Sequence, residues 1–238
     1  GSSITFLKNN QQNLLDEDFS QYRFKLEWVG NLINGLLSLN KEDSTDPNNF
    51  LGVIPSQFIK TEFNYIKHWK IGFDRVLAFR GFSGIAIPYG SSNSIPFTRS
   101  YFGGGSNDNR AWRVYKLGPG TSENLNEFNE ANFKLAFNLE YRAPLIGPFK
   151  GAIFIDAGNI WNAFDNISDP KMKFNGFEDL SEIAIGIGFG IRYDFNFFVF
   201  RLDTGFKAYN PVLPLEKRWW NQTSFKNAVY NIGINYPF

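Results

Sequence analysis

The sequence predicts an all-β protein, an antiparallel transmembrane β-barrel of about eight strands. Three observations predict it. Apolar and polar residues alternate with period two over one segment after another, the pattern of a sheet whose two faces meet different surroundings. Aromatics make up 18% of the 238 residues, with 27 Phe, 10 Tyr and 6 Trp, yet the mean hydropathy is slightly negative, which interleaving produces and a continuous apolar core does not. The connections alternate short and long along the chain, as in barrels with short periplasmic turns and long outside loops.

The first alternating segment is Tyr22–Trp28, with Tyr22, Phe24, Leu26 and Trp28 against Arg23, Lys25 and Glu27. Ile59–Tyr65 follows, and Leu77–Ile87 repeats the pattern with glycines in it. The clearest run is Phe133–Tyr141, where Phe133, Leu135, Phe137, Leu139 and Tyr141 oppose Lys134, Ala136, Asn138 and Glu140. Gly151–Trp161 comes next. Ile183–Tyr193 sets five apolar residues and Tyr193 against Ala184, Gly186, Gly188, Gly190 and Arg192. Phe198, Phe200 and Leu202 alternate with Val199, Arg201 and Asp203, and the final eight residues close the series. Ser3–Lys8 reads as the end of one more strand. Lys67–Asp74, Ala143–Pro148 and Asp194–Phe197 read as short connections. Asn34–Ser56, Tyr89–Ala131, Asn162–Ser181 and Lys207–Lys226 read as long ones. The segment Asn9–Ser20 fits the periplasmic side less well by its length. Eight strands can close a small barrel or form half of a larger one, and the alternation alone leaves both open.

Composition excludes several classes. No run of about 18 apolar residues is present, so no transmembrane helix is expected; a barrel needs none, because its strands satisfy one another's backbone. A net charge of +1 gives no basis for nucleic-acid binding. Cysteine is absent, which removes disulfides and thiolate metal sites. Gly1 does not open a charged-then-apolar leader, so a mature fragment or a domain cut from a longer chain is expected.

The last stretch, Asn231-Ile-Gly-Ile-Asn-Tyr-Pro-Phe238, sets Ile232, Ile234, Tyr236 and Phe238 on one side and Asn231, Gly233 and Asn235 on the other. An unshielded aromatic edge is a hazard in a soluble sheet, but it is expected of a closing barrel strand whose last aromatics sit in the interfacial girdle. Its polar-x-Gly-x-x-aromatic-x-aromatic spacing resembles the C-terminal signal that barrel-assembly machinery reads. The long connection carries Phe97, Tyr101, Phe102, Trp112 and Tyr115, so it is expected to pack, and a hydrated lumen is the available place.

Within that loop, Tyr101-Phe-Gly-Gly-Gly-Ser-Asn-Asp-Asn-Arg-Ala-Trp112 and Leu117-Gly-Pro-Gly120 resemble the sixth extracellular loop of the BamA/TamA superfamily. The family's Val-Arg-Gly-Phe element falls on Asn109-Arg110-Ala111-Trp112, keeping Arg110 but carrying Ala111 and Trp112 in place of Gly and Phe. Its aromatic-x-Asp-x-Gly strand falls on Phe154-Ile-Asp156-Ala-Gly158, and the terminal signal is the third element in the family's order. Leu26–Leu32, the Tyr89–Phe97 approach, Arg110-Ala-Trp112 and Leu117–Gly120 are similar to the TamL branch, while Ala111 and Trp112 leave a BamA-like role open. The resemblance implies that residues 1–238 are the C-terminal half of a sixteen-stranded barrel, with extracellular loop 89–131. POTRA domains and the first barrel half would lie outside this sequence. It implies the bacterial outer membrane, contact with the lipid bilayer, unfolded outer-membrane proteins as substrates, and a periplasmic TamB-like protein or assembly lipoproteins as partners.

Two arrangements of the charged residues stand open by residue type. Arg110 can enter the lumen and pair with Asp156, with Phe154 beside it and Gly158, Gly186, Gly188 and Gly190 leaving room for Trp112 and the loop backbone. Alternatively Asp156 meets Arg142 or Arg192, and Arg110 stays in solvent. The resemblance implies the first. It also implies that the strand of Asn231, Gly233, Tyr236 and Phe238 meets the first barrel strand at a seam that opens sideways and templates an incoming strand. Pro237 and Gly233 weaken pairing there, and an ordinary closing strand with a frayed end accounts for the same residues.

No catalytic set is expected. The only histidine, His68, sits beside Trp69, where an interfacial role suits it better than a base. Asp43 and Asp46 lack a calcium-loop pattern; Asp156, Asp194 and Asp203 are too scattered for a metal site; Gly103–Gly105 lacks the context of a phosphate loop. The chain is therefore read as a cofactor-free assembly or translocation barrel. A passive porin-like channel is the alternative, and a soluble ligand-binding β-sandwich the third reading.

Overall fold

The computed structural model describes residues 1–12, 17–30, 56–123, 128–195 and 197–238. Among the described residues nine strands form one antiparallel sheet in chain order: β1 (Ser2–Asn9), β2 (Phe19–Val29), β3 (Phe58–Gly72), β4 (Arg75–Pro88), β5 (Phe133–Pro144), β6 (Phe149–Trp161), β7 (Ala184–Asp194), β8 (Val199–Tyr209) and β9 (Val229–Ile234). Each strand pairs with its sequence neighbours, and among the described residues β1 and β9 are the two edge strands. Connections at one end of the sheet are short (10–18, 73–74, 145–148 and 195–198) and those at the other end are long. The expected long connection Asn34–Ser56 lies almost wholly outside the described residues, as do Asp43, Asp46 and Leu32. Among the described residues no helix is long and apolar enough to cross a membrane.

The two faces are inverted relative to a water-soluble sheet. Phe63, Phe137, Ile155, Phe189, Leu202 and Ile232 stand exposed on one face, with Ile232 at 69%. Glu140, Asp156, Arg192, Arg201 and Asp203 are buried on the other, Glu140 and Asp156 at 0%. Among the described residues no second sheet covers the apolar face, which counts against the sandwich reading. The sheet also curls. Strands β3 and β9 are six spacings apart, roughly 29 Å on a flat sheet. His68 of β3 nevertheless lies 3.3 Å from the carbonyl oxygen of Phe238, four residues beyond the end of β9.

The expected elements are found with corrections at their ends. Ser3–Lys8 is a complete strand, in register from Ser2 opposite Trp28 to Asn9 opposite Gln21. Lys67–Gly72 is strand, where a connection was expected, because Trp69 and Ile71 continue the apolar face of β3; the turn is only Phe73–Asp74, with Asp74 at φ 50°. Strand β8 runs on through Thr204–Tyr209, with a bulge opposite Ile185–Gly186. The largest correction concerns the chain's last residues. Strand β9 stops at Ile234, and Asn235 turns the chain at φ 64°, a conformation Asn tolerates better than most residues. Tyr236 and Phe238 therefore leave the apolar face, and the Arg142 guanidinium lies 4.1 Å and 5.7 Å from their ring centres. They do not join an outward aromatic girdle.

Strands β7 and β8 approach closely where Gly188 faces Gly205. A Cβ on Gly188 would lie 2.2 Å from the Thr204 carbonyl oxygen and 2.3 Å from the Phe154 ring. Gly188→Val is expected to destabilise the sheet by about 2–3 kcal/mol through overpacking, read as a lower urea midpoint of the protein in detergent.

Candidate functional site

The connection between β4 and β5 folds back onto the polar face. Its turn is built by glycines: Gly104 and Gly105 have φ 89° and 104°, and a Cβ on Gly104 would lie 2.3 Å from the Arg113 carbonyl oxygen. Asp108 Oδ2 accepts from Gly104 N at 2.7 Å, and Gly105 N donates to the Trp112 carbonyl at 2.8 Å, closing a compact tip at Ser106–Ala111. The returning limb is stitched to the neighbouring loop. Gly120 N donates to the Ile160 carbonyl at 2.8 Å, and Asn159 Nδ2 donates to the carbonyls of Gly120 and Glu182 at 3.0 and 2.7 Å. Outside the strands, burial pushes the Glu182 carboxyl above its ordinary range, opposed by the hydrogen bond it accepts from Trp161 Nε1 at 2.9 Å.

Arg110 is fully buried at the tip. Its Nε and backbone N both donate to Asp156 Oδ2, at 2.8 and 3.0 Å, and its Nη2 donates to Asp156 Oδ1 at 2.9 Å. Nη1 donates to Glu140 Oε2 and stands 3.6 Å from Asp203 Oδ2. The Phe154 ring lies flat below, its centre 3.4 Å from the guanidinium carbon, a cation–π seat. Only a planar fork reaches both oxygens of Asp156 while a third nitrogen meets Glu140.

The network extends along the face. Arg142 Nε donates to Glu140 Oε1 at 2.7 Å, Arg192 donates to Glu140 and Asp203, and Arg201 Nη1 donates to Asp203 Oδ2 at 2.8 Å. Asn138 Nδ2 bridges Asp156 Oδ1 and the Asp108 carbonyl at 2.9 and 2.8 Å. Arg80 of β4 donates to the Asn107 carbonyl at 2.9 Å, and Asn231 of β9 donates to the Arg110 carbonyl at 2.9 Å. The tip thus touches side chains from β4 at one side to β9 at the other.

Of the residues singled out from the sequence, Arg110, Phe154 and Asp156 come together directly. Trp112 is buried beside Ala111, Leu117 and Ala184, with Lys207 Nζ 5.3 Å from its ring centre. Gly158 does not cradle the loop: the nearest atoms to a Cβ there are the Leu135 carbonyl at 2.6 Å and Ala136 Cα at 3.1 Å, both on β5. The glycines under the tip are Gly186, where a Cβ would meet Asn109 Oδ1 and Ala111 Cβ, and Gly205, where it would meet the Arg110 carbonyl. Asn231 joins the loop set, Gly233 lies against Arg201, and Tyr236 and Phe238 group with Arg142 at the short-turn end. Glu140, Asp203, Arg201 and Gly205 were not singled out as site residues. Their alternation placed Glu140, Arg201 and Asp203 on the polar face, but only the register brings them beside Arg110.

An antiparallel sheet with its charges inside, its aromatics outside and an arginine-tipped loop held across it defines a class of barrel-forming protein. A model of the Omp85 superfamily domain matches residues 44–219, and the chain belongs to that superfamily. Among solved structures, BamA from Haemophilus ducreyi lacking POTRA domains 1–3 is similar, with a TM-score of 0.60 and 12% identity over 98% of this chain and 41% of that one. The chain therefore spans less than half the length of that protein. No curated protein matches it. Among the described residues no three His, Cys, Asp or Glu side chains are placed to hold a metal ion.

Arg110→Ala leaves Asp156 without its guanidinium and is expected to destabilise the protein by about 3–5 kcal/mol, the cost of breaking a buried ion pair from one side. Arg110→Lys is expected to recover less than half of that. Chemical unfolding in detergent measures both, and protease cleavage within 103–117 should rise in parallel.

Proposed function

We propose that the chain is the C-terminal half of a transmembrane barrel in the bacterial outer membrane, of the TamL-like branch, and that it guides incoming β-strands at a lateral seam beside β9. The observation that carries this is the loop tip held over the polar face by Arg110. A barrel whose lumen is crossed by a loop touching strands β4 to β9 is poorly suited to passive conduction, which weighs against the porin reading. Superfamily membership supports a role in handling outer-membrane proteins.

The edge that would receive a substrate has the right physics. Strand β9 is six residues long, and its ladder on β8 covers only Phe200–Gly205. At the proposed seam, short pairing of its outer edge would leave N–H and C=O groups as the template for strand addition. The exposed band of Phe63, Phe137, Ile155, Phe189 and Ile232 would face lipid, with the polar network enclosed in the lumen. The TamL-like branch rests on the sequence resemblance, as do a TamB-like periplasmic partner or assembly lipoproteins.

Two measurements test the reading. With a photoreactive residue at Tyr230 in the full-length protein, illumination in membranes is expected to give adducts with unfolded outer-membrane proteins. Steady solute-selective conductance in planar bilayers without adducts would favour the channel instead. Ile155→Arg, on the outward face, is expected to cost about 2–4 kcal/mol of folding stability in lipid vesicles if it sits near mid-bilayer; unchanged folding there would overturn the transmembrane assignment.

A further inference from the structure

The connection between β8 and β9, residues 210–228, is attached to the face opposite the one that receives Arg110. Phe206 and Tyr209 of β8 stand on the apolar face, paired with Ile187 and Ile185. Phe225 meets Phe206 edge-on with ring centres 5.2 Å apart, and Trp219 lies 4.8 Å from Tyr209. Phe206 is in turn 6.1 Å from Phe189 of β7. A row of rings thus runs from the apolar band of the strands into this loop.

Backbone and side-chain bonds hold the loop against the end of β8. Asn210 N donates to the Arg218 carbonyl at 2.9 Å, Trp220 N to the Ala208 carbonyl at 2.9 Å, and Thr223 Oγ1 to the Lys207 carbonyl at 2.7 Å. Arg218 is engaged locally, donating from Nε to the Leu213 carbonyl at 3.0 Å and from Nη1 to the Tyr209 hydroxyl at 3.2 Å. So held, the loop still turns large rings outward: Trp219 is 53% exposed, Trp220 56% and Phe225 67%. Trp220 sits at φ 58°, a left-handed conformation that bulky residues rarely adopt. Lys217 and Lys226, beside these rings in sequence, are exposed. Glu216 is the one acid of residues 210–228.

We propose that residues 210–228 form a docking surface for phosphate-bearing lipid headgroups of the leaflet on the long-loop side. The rings of Trp219, Trp220 and Phe225 enter the boundary between headgroups and acyl chains, and Lys217 and Lys226 meet the phosphates. This rests on the transmembrane placement proposed above. Two properties select the occupant. The rings continue the surface that this placement gives to lipid, and an indole, apolar in body with a polar N–H, settles at a membrane interface. The adjacent lysines add an attraction that a surface without net charge does not return. A folded protein partner would have to share the site with the bilayer, because Phe206 and Tyr209 lead directly into the lipid-facing band.

Amide hydrogen exchange of the full-length protein in vesicles tests this, comparing phosphatidylcholine alone with an equimolar mixture of phosphatidylcholine and phosphatidylglycerol. Residues 210–228 are expected to exchange about five- to thirtyfold more slowly in the mixture, the preference of one or two lysines for an anionic surface. Lys217→Gln/Lys226→Gln is expected to abolish that difference while exchanging as the wild type does in phosphatidylcholine. The tryptophan emission lost in Trp219→Phe/Trp220→Phe should be the part that phosphatidylcholine with brominated chains quenches. Equal exchange in the two vesicles, a difference that survives in the lysine variant, or unquenched emission from these tryptophans overturns the proposal. Equal slowing by inorganic phosphate in phosphatidylcholine vesicles would mark a site for soluble anions and overturn the lipid assignment. Failure of the transmembrane placement is seen separately, as unchanged folding of Ile155→Arg.

Discussion

Asp156 is the residue that makes the inserted loop necessary. It is buried on the polar face, and among the described residues its cationic partner is Arg110, with Asn138 supplying a neutral donor. Glu140 and Asp203 have arginines from the strands themselves, Arg142, Arg192 and Arg201. With the tip in place but no guanidinium at position 110, the sheet would keep two of its three central carboxylates paired and leave Asp156 as a buried, uncompensated charge. The penalty for such a charge is several kcal/mol, large beside the marginal stability of a folded chain. A loop seated over β6 must therefore bring a cation to Asp156, and it does so with an arginine 46 residues earlier in the chain.

The rest of the polar face is shaped around that guanidinium. Four arginines face three carboxylates, so the cluster carries more positive than negative charge. Other acceptors and ring faces take up the difference: Phe154 under Arg110, Tyr236 by Arg142, the Ser106 carbonyl and the main-chain oxygen of Phe238. Gly186 and Gly205 then follow as steric necessities, because the tip's backbone and Asn109 occupy the volume their side chains would need. Charges and glycines on one face leave the other to bulky apolar groups, which accounts for the alternation in every strand between β2 and β8.

That alternation made the sheet legible from sequence, since a period of two survives any curvature or closure. The ends of strands were less legible. Lys67, Lys70 and Gly72 resemble a turn in composition, and only the continued placement of Trp69 and Ile71 shows that β3 runs on. The turn at Asn235 was invisible because one residue with positive φ leaves the residue types unchanged while reversing where Tyr236 and Phe238 point. The pairing of Arg110 with Asp156 lay beyond residue types altogether. Arg142 and Arg192 had an equal claim by composition, and the choice is made by register, which sends both of them to Glu140. The family resemblance pointed to Arg110 and Asp156, a pair that register, not composition, brings together.

Strand β9 shows how the two ends of the polar face act together. Its six-residue ladder is the shortest in the sheet, so backbone pairing contributes less to its seating than to that of any neighbour. At the long-loop end it is held by Asn231 on the Arg110 carbonyl. At the short-turn end the chain after Asn235 curls in, placing the Phe238 carbonyl near His68 Nε2 and Arg142 Nη2 at 3.3 and 3.2 Å. Arg142 in turn bonds Glu140, which also accepts from Arg110. One carboxylate thus stands between both attachments of the strand. A change in the charge or position of Glu140 would reach β9 at its two ends at once while leaving the backbone ladder intact.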